Sequence, residues 1–312
     1  MSADGLARAE SILRQACGDR VRTEQPLAPL TTFRIGGPAA LYLEPDSEDH
    51  LAAASRALRE TGIPFAVLGK GSNVLVADEG FPGLVLRLGR GYRWAAREDE
   101  RLKAGGAMPL PALAGVALRH GLAGLAFGVA IPATLGGAVR MNAGAHEHEM
   151  AEVVERVQVF RLDAGLSEQV LASEIGFSYR RTELPTDAVV VGATVHLETA
   201  AAADIREAMD AARDWRRRTQ PLAEPNCGSV FKNPLHGPAA ARLVEEAGAK
   251  GLRQGGASVS TKHANFIVAE KGASAADVLF LIERVRDMVE GRTGSRLDTE
   301  VHVIGDGAHV GA

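Results

Sequence analysis

The sequence predicts an α+β protein with a strand-rich first part, a division near residue 200 and a smaller helix-and-strand unit after it. Three observations carry this. Short β-type runs separated by glycine turns occupy much of residues 65–104, and two longer apolar runs follow at 153–162 and 188–198. A charged helix at 201–219 then gives way to alternating strand and helix.

Each element has a local reason. Leu6, Ala9, Ile12, Leu13 and Ala16 recur at helical spacing, so residues 3–16 form a lead-in helix. A short strand is expected at 41–44. Residues 47–61 form a helix with Ser47 as N-cap and Gly62 as its C-terminal stop. Strands are expected at 65–68, 74–77 and 84–88, interrupted by GKGSN and DEGFPG, with a further pair within 92–104. Helices follow at 109–119 and around 132–141. In the last part a GSVFKNP turn precedes a helix near 238–247, a strand at 265–269, a helix at 274–290 and a strand at 297–304. The domain reading is a lead-in helix and linker at 1–30, a first domain at 31–199 and a second at 200–312.

Composition excludes several function classes. A chain of 312 residues with 46% hydrophobic and 24% charged side chains is globular, not disordered. Thirty-five cationic against 39 anionic side chains give nucleic-acid binding no support. The two cysteines, Cys17 and Cys227, provide neither a disulfide framework nor a cysteine-built metal centre. Acids at Asp4 and Glu10 speak against a signal peptide, so a cytoplasmic location is expected. Residues 121–139 carry no charge, but five glycines, five alanines and Pro132 make a weak membrane span. Buried backbone close to a ligand is the favoured reading.

Glycine is in surplus: 35 of 312 residues, about 11% against an ordinary usage of roughly 7%. The glycines cluster, at Gly36 and Gly37, at Gly69 and Gly71, at Gly105 and Gly106, and through 121–144. The strand–glycine turn–strand VLGKGSNVLVAD is one way to build a phosphate-binding concavity. IPATLGGAV, opening a helix, adds N-terminal amides that suit an anion. No G-x-G-x-x-G follows the first strand and no G-x-x-x-x-G-K-[ST] occurs. On the residues alone, a ligand cradle and a set of tight turns explain the glycines equally well.

Seven strings occur in order across nearly the whole chain: TTFRIGGPA (31–39), VLGKGSNVLVADEGFPGLVL (67–86), GLAFGVAIPATLGGAVRMNAGA (124–145), FSYRRTEL (177–184), QPLAEPNCGSVFKNP (220–234), HANFIV (263–268) and DTEVHVIG (298–305). Together they resemble the UDP-N-acetylenolpyruvoylglucosamine reductase (MurB) family of peptidoglycan precursor synthesis, and the short length resembles its compact subclass. Ala133 stands where the family more often has glycine, and His146-Glu147-His148-Glu149 follows Ala145 where a Tyr-Gly-Gly stretch is common. The resemblance implies an FAD-binding domain of the vanillyl-alcohol oxidase/PCMH type plus a smaller C-terminal α+β substrate domain. It implies non-covalent FAD held by Gly36, Gly37, Gly69, Lys70, Gly71, Ser72, Asn73, Gly128, Ile131, Pro132, Gly136, Gly137, Ala138, Asn142 and Gly144. NADPH is the implied hydride donor and a UDP-sugar the implied substrate, with no nucleic acid, membrane or obligate protein partner.

The implied reaction sends a hydride from NADPH, by way of FAD, to the enolpyruvyl β-carbon, and a proton to the α-carbon to give UDP-N-acetylmuramate. Such a reaction builds negative charge on the α-carbon and its carboxylate, so it needs a cation and an acid. Arg180 of FSYR fits the cation, since guanidinium pairs bidentately with carboxylate. By motif match Ser229 of GSVFKNP is the proton donor. Glu300 of DTEVHVIG is the third catalytic match; holding the substrate carboxylate with Arg180 requires it to be protonated. Tyr179, Arg218, Lys232 and Asn233 are candidates for the phosphates and sugar, and Asn265 is a weaker one. Taken singly, Arg180 reads as a surface basic patch, Ser229 as a turn residue and Glu300 as an exposed strand residue. Their joint placement in three motifs favours the chemistry. Cys227 is read as packing, because a hydride–proton reaction needs no covalent step. The stretch 146–149 lacks H-E-x-x-H and is read as a solvated loop, with no metal assigned. Two alternatives stand beside this reading: another FAD oxidoreductase of the same fold acting on a different small substrate, and a flavin-free module that binds nucleotide sugars.

Overall fold

A computed structural model describes residues 3–305; the outermost residues of the first and last expected domains lie outside that range. Helix α1 (Ala3–Cys17) packs on α2 (Glu48–Thr61), whose Ser47 side chain accepts from the His50 N–H and whose C-cap Gly62 has φ 64°. Beneath them lies a four-stranded sheet in the order Val21–Pro26, Pro38–Leu43, Phe81–Leu86, Phe65–Val67. The first pair is antiparallel and the others parallel.

A second, antiparallel sheet of five strands runs Leu166–Leu171, Val154–Arg161, Ala188–His196, Arg101–Gly105, Ala95–Glu98. Its central strand Ala188–His196 is buried at every position but the last, as a near-continuous apolar run broken only by Thr194 should be. Helices α3 (Leu110–Arg119) and α4 (Leu135–Arg140) share its core. Within these two sheets, two strands have no counterpart in the sequence reading, Val21–Pro26 and Leu166–Leu171. Both are edge strands in which only Val21 is buried, so neither shows an alternating apolar face.

Helix α5 (Ala202–Thr219) buries Ile205, Met209 and Ala212 in that same core. The apolar division therefore falls after α5, some twenty residues beyond the division expected near residue 200. The following unit contains α6 (Ala240–Glu246), a three-stranded sheet Arg253–Gln254, Ala257–Val259, Ile267–Ala269, and α7 (Ala275–Thr293) capped by Ser274 and Gly294. The strand expected at 297–304 is shorter, His302–Ile304, and it pairs in parallel with Val74–Val76 of the first unit. Phe33, Ile35 and Leu75 join the C-terminal core. The second unit is thus stitched into the first by its last strand.

Candidate active site

A cavity of about 780 Å³ lies between the two units, within the range of roughly 300–1,000 Å³ usual for ligand sites. Its wall carries eight Lys or Arg side chains and three Glu, a cationic balance that suits phosphates. One end is formed by residues 69–73. There the Gly71 carbonyl accepts from the Thr32 N–H and the Asn73 carbonyl from the His302 N–H. Among the described residues, the N–H groups of 69–73 have no acceptor. Gly71 has φ +65°, and a Cβ there would lie 2.6 Å from the Leu30 carbonyl, so this turn admits no side chain. Unpaired amides on a glycine turn make an anion-binding concavity. These residues fit the diphosphate of a dinucleotide cofactor such as FAD.

The helical amides expected to assist are already used. The N–H groups of Leu135, Gly136 and Gly137 donate to the Met108 carbonyl, the Gly106 carbonyl and Thr134 Oγ1. Gly136 and Gly137 still line the cavity, with Ile131 and Pro132, but as surface for close approach and not as anion donors.

Beside this turn, with Asn73 Nδ2 bonded to the Glu300 carbonyl, three segments converge. Arg180 Nε donates to Glu300 Oε1 at 3.0 Å, and Arg180 Nη2 donates to the Gly144 carbonyl at 2.9 Å. Both charged side chains are about four-fifths buried, at 19% and 17% exposure. Burial raises the Glu300 carboxyl above its ordinary value, while Arg180 and Lys232 pull it back down. The Glu300 N–H donates to the Val230 carbonyl at 2.7 Å and Asn73 Nδ2 to the Glu300 carbonyl at 2.9 Å. Ser229, adjacent to Val230, therefore reaches the same wall, and its hydroxyl has no partner among the described residues. The turn bearing Ser229 is held from below by Asn265, whose side chain accepts from the Phe231 N–H and donates to the Phe231 carbonyl at 2.9 and 2.8 Å.

Of the sequence-derived candidates, Gly69, Lys70, Gly71, Ser72, Asn73, Ile131, Pro132, Gly136, Gly137, Gly144, Arg180, Ser229 and Glu300 line this one cavity. The others lie off its wall, each for a physical reason. Gly36 and Gly37 press on Val76 and on the Asp78 carbonyl, so they serve strand packing. Gly128 abuts Leu110, and Ala138 is wholly buried in the first unit's core. Asn142 is wholly buried among protein partners. Tyr179 is exposed, with its ring 4.9 Å from the Arg180 guanidinium carbon. Asn233 Oδ1 accepts from the Ala240 N–H at the start of α6, a capping role. Lys232 stands behind Glu300 and His302, near enough to shift both. Cys227 is buried, its thiol pushed up to about 12 by burial, as packing requires.

Arg218 is exposed and bonds the Asp214 carbonyl, whereas Arg216 lines the cavity. The signal for this was available. Arg216 lies four residues after Ala212 and seven after Met209, on the buried face of α5, while Arg218 is turned away. His302 was missed too, although two residues from Glu300 on an extended chain places it on the same face.

Fold and site together define a flavoprotein oxidoreductase: residues 39–166 match the family described as FAD binding domain. Residues 220–304 match a second family, UDP-N-acetylenolpyruvoylglucosamine reductase, C-terminal domain. The UDP-N-acetylenolpyruvoylglucosamine reductase of Heliobacterium modesticaldum is 46% identical over 91% of this chain and 90% of its own. Reductase 2 of Symbiobacterium thermophilum is 46% identical over 96% of each chain. The crystal structure of UDP-N-acetylenolpyruvylglucosamine reductase (MurB) from Thermus caldophilus superposes with a TM-score of 0.79 at 37% identity, over 91% of this chain and 98% of that one. Physcomitrella patens BBE-like 1, at 10% identity and a TM-score of 0.57, shares the fold alone. The chain belongs to the UDP-N-acetylenolpyruvoylglucosamine reductase family. No helix among the described residues is long and apolar enough to cross a membrane.

Proposed function

We propose that this protein reduces the enolpyruvyl group of UDP-N-acetylenolpyruvoylglucosamine to UDP-N-acetylmuramate, with NADPH as hydride donor, in the cytoplasm. The observation that carries this reading is the convergence of Arg180, Glu300 and Ser229 on one cavity wall, beside a turn of unpaired amides. Bound FAD supplies the relay of hydride between NADPH and substrate. The turn at 69–73 holds its diphosphate, and the cationic wall, Arg216 included, takes the diphosphate of the sugar nucleotide.

Arg180 pairs with the substrate carboxylate, and Glu300, once protonated, donates to the same group. Both then oppose the negative charge that accumulates as the β-carbon gains its hydride. Ser229 delivers the proton to the α-carbon; a serine hydroxyl is a weak acid, so the developing carbanionic charge drives the transfer.

The test is a two-step absorbance assay on purified, FAD-loaded protein. NADPH should bleach the flavin band and the enolpyruvyl sugar nucleotide should restore it. Bleaching without recovery would point to a different FAD oxidoreductase. Protein that fails to take up FAD yet binds UDP-sugars would point to a flavin-free binding module.

A further inference from the structure

We infer that Asn142 is a positioning residue for Arg180, holding the turn that carries it from the end of α4. The inference rests on the carboxylate-binding role given to Arg180 above.

Arg180 is the third residue of a four-residue turn closed by two bonds, Ser178 N–H to the Arg181 carbonyl at 2.9 Å and Arg181 N–H to the Ser178 carbonyl at 3.1 Å. Its φ is +56°, a conformation that a non-glycine residue keeps only where its surroundings over-determine it. Seven described non-glycine residues have positive φ, and four of them, Asn142, His146, Glu147 and Arg180, lie in the two segments that meet here. Left-handed backbone is concentrated where the arginine is held.

Three contacts from one short stretch do the holding. The Arg140 carbonyl accepts from Thr182 Oγ1 at 2.9 Å, just past the turn. Asn142 Nδ2 donates to the Ser178 carbonyl at 3.0 Å, at the start of the turn. The Gly144 carbonyl accepts from the guanidinium itself, and a Cβ on Gly144 would lie 3.1 Å from Arg180 Nη1. Asn142 is in turn fixed by the Ala151 N–H donating to its Oδ1 at 2.9 Å. The side-chain amide offers one donor and one acceptor without a charge, and asparagine tolerates its own φ of +41°. Asn142 is wholly buried and off the cavity wall, so it acts through the arginine and not on a ligand.

The test uses the FAD-loaded protein and the two half-reactions read separately. Asn142→Asp keeps the left-handed backbone and the bond from Ala151, but turns a carboxylate oxygen toward the Ser178 carbonyl. It should retain FAD and bleaching by NADPH, while recovery with the enolpyruvyl substrate slows by about a hundredfold, the scale of an ångström misplacement. Asn142→Gly, which suits the backbone and loses both bonds, should behave alike. In an Arg180→Lys background, Asn142→Asp should slow recovery no further, because both changes remove one unit. Equal slowing of both half-reactions, loss of FAD, or effects that multiply in the double variant would overturn the inference. Wild-type recovery in Arg180→Lys alone would overturn the role of Arg180 itself; a crippled Arg180→Lys beside an unaffected Asn142→Asp would overturn only the positioning.

Discussion

Arg180 Nε and Glu300 Oε1 stand 3.0 Å apart although the residues are 120 positions apart in the chain, one on a turn of the first unit and one beside the last strand. The pair sets up a proton linkage. Burial raises the Glu300 carboxyl, and Arg180 and Lys232 restrain it. A substrate carboxylate that engages Arg180 weakens that restraint and adds a like charge, so the Glu300 carboxyl rises further and takes up a proton.

Binding of UDP-N-acetylmuramate, the unreactive product, should therefore be accompanied by uptake of up to about one proton. Titration calorimetry in two buffers of different ionisation enthalpy measures it. Uptake should vanish at low pH, where Glu300 already carries its proton, and in Glu300→Gln at every pH. Binding with no buffer dependence in the wild type would show that Glu300 does not change charge.

The same carboxyl affects stability. Its folded value lies above its unfolded one, so the linked stability is fully present below the unfolded value and is lost as pH rises through the folded value. Glu300→Gln removes that loss and still lets Gln Oε1 accept from Arg180. Its Tm should exceed that of the wild type by about 1–3 °C at pH 8, with the gap closing toward pH 4. A more stable wild type at pH 8 would mean that the Arg180 pairing outweighs burial.

On α5, Arg216 and Arg218 make a matched comparison. Arg216 is half-buried, with its pKa lowered by burial, and lines the cavity; Arg218 is exposed. A charged hydrogen bond is worth about 1.5–3 kcal/mol, so Arg216→Ala should weaken binding of the sugar nucleotide by about tenfold or more. Arg218→Ala should leave it near the wild-type value. Equilibrium titration followed by flavin absorbance decides the point.

Helical phase was the readable part of that distinction, and the neglected part. Burial of Ile205, Met209 and Ala212 fixes which arginine turns inward, yet a basic run read as a string hides its phase. The glycine turn at 69–73 was legible because its backbone, with φ +65° at Gly71, is one that few residues permit. Asn142 was legible as important and not as to its role, since its partners are backbone groups in other segments, the Ala151 amide nine residues on and the Ser178 carbonyl 36 residues on. Strands Val21–Pro26 and Leu166–Leu171 gave no pattern, because an exposed edge strand has no apolar face to show. The pairing of His302–Ile304 with Val74–Val76 is a long-range event that no local window records.

Gly71 provides the test of the anion turn. An alanine there would adopt φ +65° and place its Cβ 2.6 Å from the Leu30 carbonyl, in a buried position where backbone must yield. Strain of that kind amounts to about 1–3 kcal/mol. Gly71→Ala should purify with little flavin and show weakened FAD affinity on reconstitution. Gly137→Ala meets only an ordinary contact with Thr134 Oγ1 at 3.4 Å inside the protein, so its effect reports on ligand proximity alone. Full flavin content in Gly71→Ala would remove the turn from the cofactor site.

Ser229 separates proton delivery from every earlier step. Its hydroxyl is unpaired among the described residues, and its turn is held through Asn265 and through the Glu300 N–H to Val230 bond, neither of which involves the hydroxyl. Ser229→Ala therefore removes one oxygen without disturbing the support. Reduction of flavin by NADPH needs no proton from this residue and should proceed at the wild-type rate. Recovery with the enolpyruvyl substrate should fall by about 10²–10⁴-fold, the usual contribution of a placed acid. Ser229→Cys, whose thiol is the stronger acid, should recover part of the rate if proton transfer limits the step. Equal loss in both half-reactions of Ser229→Ala would mean that the serine shapes the cavity and another group, His302 or a water, supplies the proton.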